Sequence, residues 1–342
     1  SDQGDGLTWS SAKKSIQSAI DCAAQNDIIL VKSGTYAPIC ATNKTITIQS
    51  VDGFEKAYID GRFTVPCAQF ASTNSVIIGF TLRNGVGRRN AVYDETLEPV
   101  VDADGPLAGG LVYATAINCR IVNNRGVMYA AGGAYGSVLI DCIVADNRAD
   151  NFGGGARFST FHQSVILHNQ AYTGGGAYRS TLSRTRVTDN KATLGGGAAE
   201  STLANCIVSR NEAQQDGAGV YACALHSCTV VKNHSWGNVG GAALGENPRA
   251  SFNSLIWDNY PCDIVDNLNS FWLEKGNYCG VDAQGTVNLE SPDYADAEAL
   301  NVQLLPASPC LNQGVADGDA GTLDYRGEMR IQDGRVDIGA YE

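Results

Sequence analysis

Six residues stand just after the glycines of a repeated phrase and carry groups that can act on a ligand: Tyr135, Arg157, Tyr178, Arg179, Glu200 and Tyr221. All follow a run of small residues, as in Gly132-Gly133-Ala134-Tyr135 and Gly175-Gly176-Ala177-Tyr178-Arg179. Aromatic rings stack on sugar rings, and guanidinium groups grip carboxylates in a bidentate fork. Tyr135, Arg157, Tyr178, Arg179 and Tyr221 are therefore the expected ligand-binding row, with Arg184 and Arg186 on the next strand. Should the chain cleave an acidic glycan by elimination, a base must take the proton beside a uronate carboxylate and a cation must neutralise that carboxylate. Arg157, Tyr178 and Arg179 are the candidates for those roles. Ala199 and Ala243 interrupt the row, which also fits an ordinary solvated β face.

The other chemistry-bearing residues converge less. His162 and His226 occupy the same place three coils apart, about 14 Å by the stacking distance, too far to share a metal. His168 is expected outward and His234 in a turn, and no metal site is expected. Oxygen ligands for Ca²⁺ occur between Asp94 and Asp104 and at Asp317, Asp319 and Asp324, without the Asp-x-Asp-x-Asn/Asp-Gly spacing of a dedicated loop. No cofactor is expected beyond that weak Ca²⁺ signal.

What positions the row is a phrase written seven times between Gly109 and Asn259. Each copy closes on an asparagine: Asn124, Asn147, Asn169, Asn190, Asn211, Asn233 and Asn259. The period of 21 to 26 residues is that of a solenoid. Five residues before each asparagine stand Cys119, Cys142, Ser164, Thr185, Cys206, Cys228 and Ser254, and three before stand only Ile or Val. These columns are expected inward. The column six before (Asn118, Asp141, Gln163, Arg184, Asn205, Ser227 and Asn253) is expected outward on the same strand. Eight before, Leu139, Phe161, Leu182, Leu203 and Leu225 form another inward stack. The asparagines are read as a ladder of amides along the axis. Two outer columns, from Arg120 to Leu255 and from Val122 to Trp257, are too apolar to be left wet, so the 87 to 107 segment, the C-terminal segment or a partner must cover them.

The fold class that follows is all-β, a single right-handed parallel β-helix of roughly ten coils over residues 1–342. Residues 1–24 form a cap whose helix starts at Ser10 or Ser11, and strands follow over Ile28 to Val31, Thr45 to Ile48, Ala57 to Ile59 and Val76 to Leu82. Coils fill 25–86 and close first on Asn84. An inserted polar loop spans 87–108, the regular coils 109–259, and C-terminal coils with a closing cap 260–342. The 11 cysteines, an odd number without a Cys-x-x-Cys pair, disfavour zinc. Cys119 with Cys142 and Cys206 with Cys228 are close enough to oxidise if geometry allows, and Cys262 with Cys279 is a candidate bridge. A net charge of −12 disfavours nucleic acid and anionic membrane. No run is apolar enough for a spanning helix. The expected location is outside the cell, with a targeting segment already removed.

Gly132-Gly133-Ala134 followed by Val144 to Asn147 resembles the repeats of bacterial polymorphic outer-membrane proteins and of pectin-lyase-like β-helices. Gly4-Asp5-Gly6-Leu7-Thr8-Trp9, Ile78 to Gly85, Ser308 to Gly314 and Val336 to Glu342 resemble surface β-helix proteins of the choice-of-anchor Q type. The resemblance implies a secreted or cell-surface bacterial protein, and it is silent on activity because this fold hosts lyases, hydrolases, esterases, adhesins and stalks. A hydrolase of the polygalacturonase kind would need an Asp-Asp pair, a Gly-His-Gly and an Arg-Ile-Lys, and none is present. The leading expectation is a protein that binds glycans or a partner along one face; the alternatives are a polysaccharide lyase acting on a uronate glycan and a passive stalk. Oligomeric state is left open.

Overall fold

The computed structural model describes residues 4–89, 92–93, 99–100, 107–243, 251–265, 278–279, 291–296, 301–314, 322–332 and 334–341. They form an all-β parallel solenoid of about nine turns, as the repeat implied. The chain divides into two compact units, Ser1–Thr160 and Phe161–Glu342.

Every full coil contributes one strand to each of three parallel sheets, named here by their marker residues. In the first unit the leucine-side sheet runs Ile28–Val31, Thr47–Ser50, Val76–Ile78, Thr115–Ile117 and Val138–Ile140. The asparagine-side sheet holds Gly34–Tyr36, Ala57–Asp60, Thr81–Arg83, Arg120–Val122 and Ile143–Ala145. The glycine-side sheet holds Ile39–Ala41, Ala68–Phe70, Leu111–Val112, Ala134–Tyr135 and Ala156–Arg157. In the second unit the same sheets recur, for example as Thr181–Ser183, Arg186–Thr188 and Ala177–Tyr178. Within each unit registers are unbroken from coil to coil, Ile121 facing Val144 in the first and Val187 facing Val208 in the second.

The strands are two to four residues long because a left-handed residue interrupts the chain at each corner. Asn118, Asp141, Gln163, Arg184, Asn205, Ser227 and Asn253 all have φ between 46 and 53°. The column six before the asparagine is therefore a bend between two strands, not an outward strand position. Likewise Val76 to Leu82 is two strands, Val76–Ile78 and Thr81–Arg83, parted by Gly79 at φ 73°. A second corner column, Asn123, Asp146, His168, Asp189, Arg210, Lys232 and Asp258, precedes each ladder asparagine. Asn84 belongs to this column: it has φ 56°, Arg83 pairs with Val122, and Gly85 takes the ladder place. Asn84 instead donates to Asp60.

The inward residues are the ones the columns implied. Leu139, Ile121 and Val144 in the first unit and Phe161, Leu182, Leu203, Val187 and Val208 in the second are wholly buried. The ladder is continuous within each unit. In the first, Asn124 donates from both its backbone and its Nδ2 to Asn147 Oδ1, each at 3.0 Å. In the second the same double donation runs from Asn169 to Asn190, Asn211, Asn233 and Asn259, and ends on Asp263 Oδ1 at 2.9 Å. The paired glycines make room for these amides. A Cβ on Gly133 would lie 2.4 Å from Gly155 O and 3.0 Å from Asn147 Nδ2.

At the N-terminus a 3₁₀ turn, Trp9–Ser11, capped by Thr8, precedes a helix over Ile16–Cys22. Ser15 is its N-cap, not Ser10 or Ser11, since the Ser15 hydroxyl accepts from Ser18 N. Ile16 and Ile20 are buried, and Lys44 Nζ donates to the helix-end carbonyls of Ile20 and Ala23. Val86–Arg89 pairs with Arg125–Met128, so the inserted segment begins as a strand of a lateral sheet. Val92–Tyr93 and Pro99–Val100 form an antiparallel pair.

The apolar outer columns find their cover in the second unit. Ile207, Val231 and Leu255 are buried under Val302, Cys310, Ile338 and Ala340, with Trp257, Tyr325 and Tyr341 packed beside them. Ala340 N donates to Thr229 Oγ1 and Gly339 N to Asn253 O, which fixes the C-terminal segment on the asparagine-side sheet. Arg330, fully buried in that segment, donates to Ala340 O at 2.9 Å.

Candidate functional site

In the predicted row Tyr135, Arg157, Tyr178 and Tyr221 end the glycine-side strands, and Arg179 and Glu200 lie at the corner that follows. The row's first-unit members are Tyr135 and Arg157, which face each other in register. Both are buried, at 9 and 5% exposure. The Tyr135 ring meets Tyr113 edge-on at 5.8 Å and Phe158 at 5.5 Å. Arg157 Nη1 donates to Tyr129 O at 2.8 Å, and its guanidinium lies 4.8 Å from the Phe158 ring and 5.1 Å from the Phe152 ring. The inserted segment returns here, Leu107 and Ala108 packing with Val112 and Tyr135. What reaches solvent is the corner itself: Tyr113 and Phe158 are exposed.

These two rings are held at φ 53 and 52°. The same left-handed φ, 48 to 51°, recurs down this column at Arg179, Glu200 and Ala222, so it belongs to the corner of each coil; at Tyr113 and Phe158 the corner carries an exposed ring. The corner between them is Gly136, at φ 57°, where a Cβ would stand 2.5 Å from the Tyr113 ring. The glycine lets Tyr113 fold over its neighbour coil. The result is a ridge of three rings, Tyr113, Tyr135 and Phe158, backed by one cation.

In the second unit Tyr178 is buried, 4% exposed, and its hydroxyl donates to Glu200 Oε1 at 3.0 Å. Arg179 Nε donates to Glu200 Oε2 at 2.7 Å, and its guanidinium lies 5.2 Å from the Tyr178 ring. Burial alone would lower the Arg179 pKa, but the Glu200 contact outweighs it and holds the group further into its charged form. Glu200 thus occupies two of the three groups considered for elimination chemistry, Tyr178 and Arg179, and the third, Arg157, lies in the first unit. Tyr178, Ala199, Tyr221 and Ala243 follow one another in register, so Tyr221 is two coils from Tyr178, about 10 Å, across the recess left by Ala199.

Other candidates lie elsewhere. Arg186 sits on the asparagine-side sheet, where its charge acts on Tyr325 and Tyr341 of the covering segment. Arg184 is at a corner with φ 47°. His162 shares a hydrogen bond of 2.7 Å with Ser183 Oγ, and His234 is on a strand, His234–Ser235, not in a turn. Among the described residues no three His, Cys, Asp or Glu groups cluster as a metal site. Asp94, Glu95, Glu98, Asp102, Asp104, Asp317 and Asp319 lie outside the described residues, and Asp324 Oδ1 accepts from Arg326 N and Glu328 N.

Cys262 is a free thiol, so the suggested bridge to Cys279 is not formed; its Sγ instead donates to Asn238 O at 3.0 Å. Cys119, Cys142, Cys206 and Cys228 are also free and buried. Sequence reasoning missed Tyr113 and Phe158. Their signal was the disagreement of the copies at the residue after the row, where Tyr113, Gly136 and Phe158 are followed by Arg179, Glu200 and Ala222.

No family model matches the chain, and no curated sequence does. Among solved structures, pectate lyase Pel9A superposes with a TM-score of 0.53 at 10% identity, covering 98% of this chain and 92% of that one. Pectin methylesterase PemA from Erwinia chrysanthemi overlaps less, with a TM-score of 0.36 at 11% identity over 63% of this chain and 78% of that one. The Dettilon tailspike protein gives 0.36 at 10% identity over 77 and 60%. No helix among the described residues is long and apolar enough to cross a membrane. The resemblance read from the repeats therefore holds at the level of architecture: the chain has the parallel β-helix fold of the pectate lyase.

Proposed function

We propose that this is a carbohydrate-binding β-helix of the bacterial cell surface or exterior, gripping a glycan along the corner that carries Tyr113, Tyr135, Arg157 and Phe158. The observation that carries this reading is the ridge itself. Two aromatic rings are exposed and pinned edge-on against a buried third ring. Exposed, immobilised rings suit stacking on sugars because little side-chain freedom is lost on binding. In the second unit Arg179 and the half-buried Tyr221 offer a separate cation and ring of the same kind, beside the buried Tyr178. Cleavage is the weaker reading, since Glu200 engages both Tyr178 and Arg179.

The fold shared with a pectate lyase makes acidic polysaccharides the first ligands to test. Binding to a polysaccharide panel is measured by affinity electrophoresis for the wild type and for a Tyr113→Ala, Phe158→Ala double variant. The expected result is retardation by at least one glycan, lost in the variant. Equal retardation of both proteins refutes the ridge. New absorbance from unsaturated ends on incubation with uronate polysaccharides and Ca²⁺ would replace binding alone with the lyase reading, and a blank in both assays leaves a passive stalk.

A further inference from the structure

A second strip, on the lateral edge of the second unit, has the construction of a sugar-binding surface and plays no part in the corner just described. Lys191–Ala192, Glu212–Ala213 and His234–Ser235 form a small parallel sheet between the asparagine ladder and the glycine corners. Bridges from Gln170 to Lys191, from Thr173 to Leu194 and from His234 to Tyr260 extend its register on both sides. Two residues beyond the first position of each strand, the register therefore aligns Tyr172, Thr193, Gln214 and Trp236, one per coil. Tyr172 and Trp236 are three coils apart, about 14 Å.

Both ends of this column are large exposed aromatics, Tyr172 at 52% and Trp236 at 63%. Trp236 is exposed and held in place. His234 stacks against it at 4.8 Å with planes 34° apart, and Tyr260, 66% exposed, meets His234 edge-on at 5.1 Å. The backbone on either side is tied down: Trp236 N donates to Ala213 O at 3.0 Å, Ser235 N to Tyr260 O at 2.9 Å, and Gly237 N to Ser235 Oγ at 2.9 Å. A Cβ at Gly237 would come 2.3 Å from Gln215 O, so this tight return requires glycine.

Between the aromatic ends the floor is polar and uncharged. Thr193 Oγ1 and Gln214 Oε1 are 3.4 Å apart, and Gln214, Gln215 and Asn238 are exposed amides. Of the flanking charges, Lys191 Nζ lies 2.8 Å from Glu212 Oε2, and the Asp216 carboxylate accepts from Asn238 N at 2.8 Å. A surface whose charges are engaged by their neighbours complements a ligand without charge.

We propose that this strip binds a neutral, extended oligosaccharide laid along the solenoid axis, with one pyranose stacked on Trp236, another on Tyr172, and hydroxyls meeting Thr193, Gln214 and Gln215 between them. Stacking needs an exposed ring fixed in orientation, and the intervening hydroxyls need groups that both donate and accept; amides and a threonine supply that. The site differs from the corner ridge in its coils, in its amide-rich floor, and in the ligand it selects.

The test uses the full chain and soluble neutral polysaccharides (β-glucans, mannans and galactans), by affinity electrophoresis and tryptophan fluorescence. The expected result is retardation by a neutral glycan, with a fluorescence change that disappears in Trp236→Ala. Affinity should fall about tenfold for Trp236→Ala, the equivalent of one lost stacking contact of ~1.4 kcal/mol, and measurably for Tyr172→Ala. Tyr113→Ala with Phe158→Ala should leave this binding intact. Three outcomes overturn the strip: no neutral glycan retards the wild type, Trp236→Ala binds unchanged, or the corner variant alone abolishes binding. The last of these would leave the corner reading standing. Circular dichroism of Trp236→Ala checks that lost binding is not lost folding.

Discussion

Replacing Asn211 by alanine should unfold this protein far more readily than its size as a substitution implies. The side chain is wholly buried and makes four hydrogen bonds. Its Oδ1 accepts from Asn190 N at 2.9 Å and Asn190 Nδ2 at 3.0 Å. Its Nδ2 donates to Val187 O at 3.0 Å and Asn233 Oδ1 at 2.9 Å. A hydrogen bond contributes about 1 kcal/mol net, so four give about 4 kcal/mol. Water cannot easily replace the amide, because Gly197 closes over it: a Cβ there would stand 2.9 Å from Asn211 Nδ2. Asn211→Asp is the informative partner variant. It keeps both acceptor contacts with Asn190, loses both donations, and buries a charge, so it should also cost about 2 kcal/mol or more. The assay is urea unfolding followed by far-ultraviolet circular dichroism, with the exposed Gln214→Ala as control. A loss below about 1 kcal/mol for Asn211→Ala would show that the ladder is an incidental alignment and not a source of stability.

Three further outcomes are expected. The Asp60 carboxyl is pushed up by burial, but hydrogen bonds from Arg62 N, Asn84 and Arg83 more than reverse this and leave it below its ordinary 3.8. Its stabilisation is then present above pH 3.8 and lost as pH falls through the lower folded value, so Arg83→Met should move acid unfolding to higher pH in a circular dichroism titration. Burial pushes the Cys67 and Cys310 thiols up to about 12, whereas Cys22 and Cys40 are exposed. Alkylation of the native protein at mildly alkaline pH, read by mass spectrometry, should mark the exposed pair and spare the buried one; equal rates would contradict the packing. Gly136→Ala should cost about 1 kcal/mol or more for its left-handed backbone and also displace the Tyr113 ring. Gly53→Ala, at φ 82° with nothing within 4 Å of the new methyl, carries only the backbone cost, so near-ultraviolet circular dichroism should change for the first variant alone.

The architecture was legible because a solenoid writes each structural role once per coil. A role repeated seven times stands out in a single sequence, which is how the asparagine ladder and the Leu139 to Leu225 stack could be placed. Corners were harder to read. Asn118 and Asp141 look like the polar half of a strand alternation, since a three-residue strand and the bend beside it differ only in φ. Asn84 misled for a related reason: it stands one place before the ladder, where asparagine tolerates a left-handed bend, and Gly85 holds the ladder position.

The row of rings and cations was found, but its exposure was not. Tyr135 and Arg157 alternate correctly for an outer face, yet neighbouring coils and the returning Leu107 bury them. Glu200 was named beside Tyr178 and Arg179, but its engagement of both depends on a corner dihedral that spacing does not encode. The Trp236 strip escaped notice because Tyr172, Thr193, Gln214 and Trp236 share no chemistry down the column.

The amide ladder has a direction. From one asparagine to the next, the backbone N–H and an Nδ2 hydrogen are given toward higher residue numbers and the Oδ1 takes them from lower ones, while Nδ2 also donates to a carbonyl of the coil before, so each end of the ladder needs a different terminator. In the first unit Asn124 Oδ1 receives Gly85 N and the Cys67 thiol. In the second, Asn259 gives to Asp263, whose carboxylate accepts and passes nothing on. A new coil appended beyond Asp263 would therefore meet a dead end, whereas a coil duplicated between two ladder asparagines would find a donor below and an acceptor above. Lineages of such proteins should lengthen from the middle, and an engineer extending this scaffold should insert repeats internally and keep both terminators.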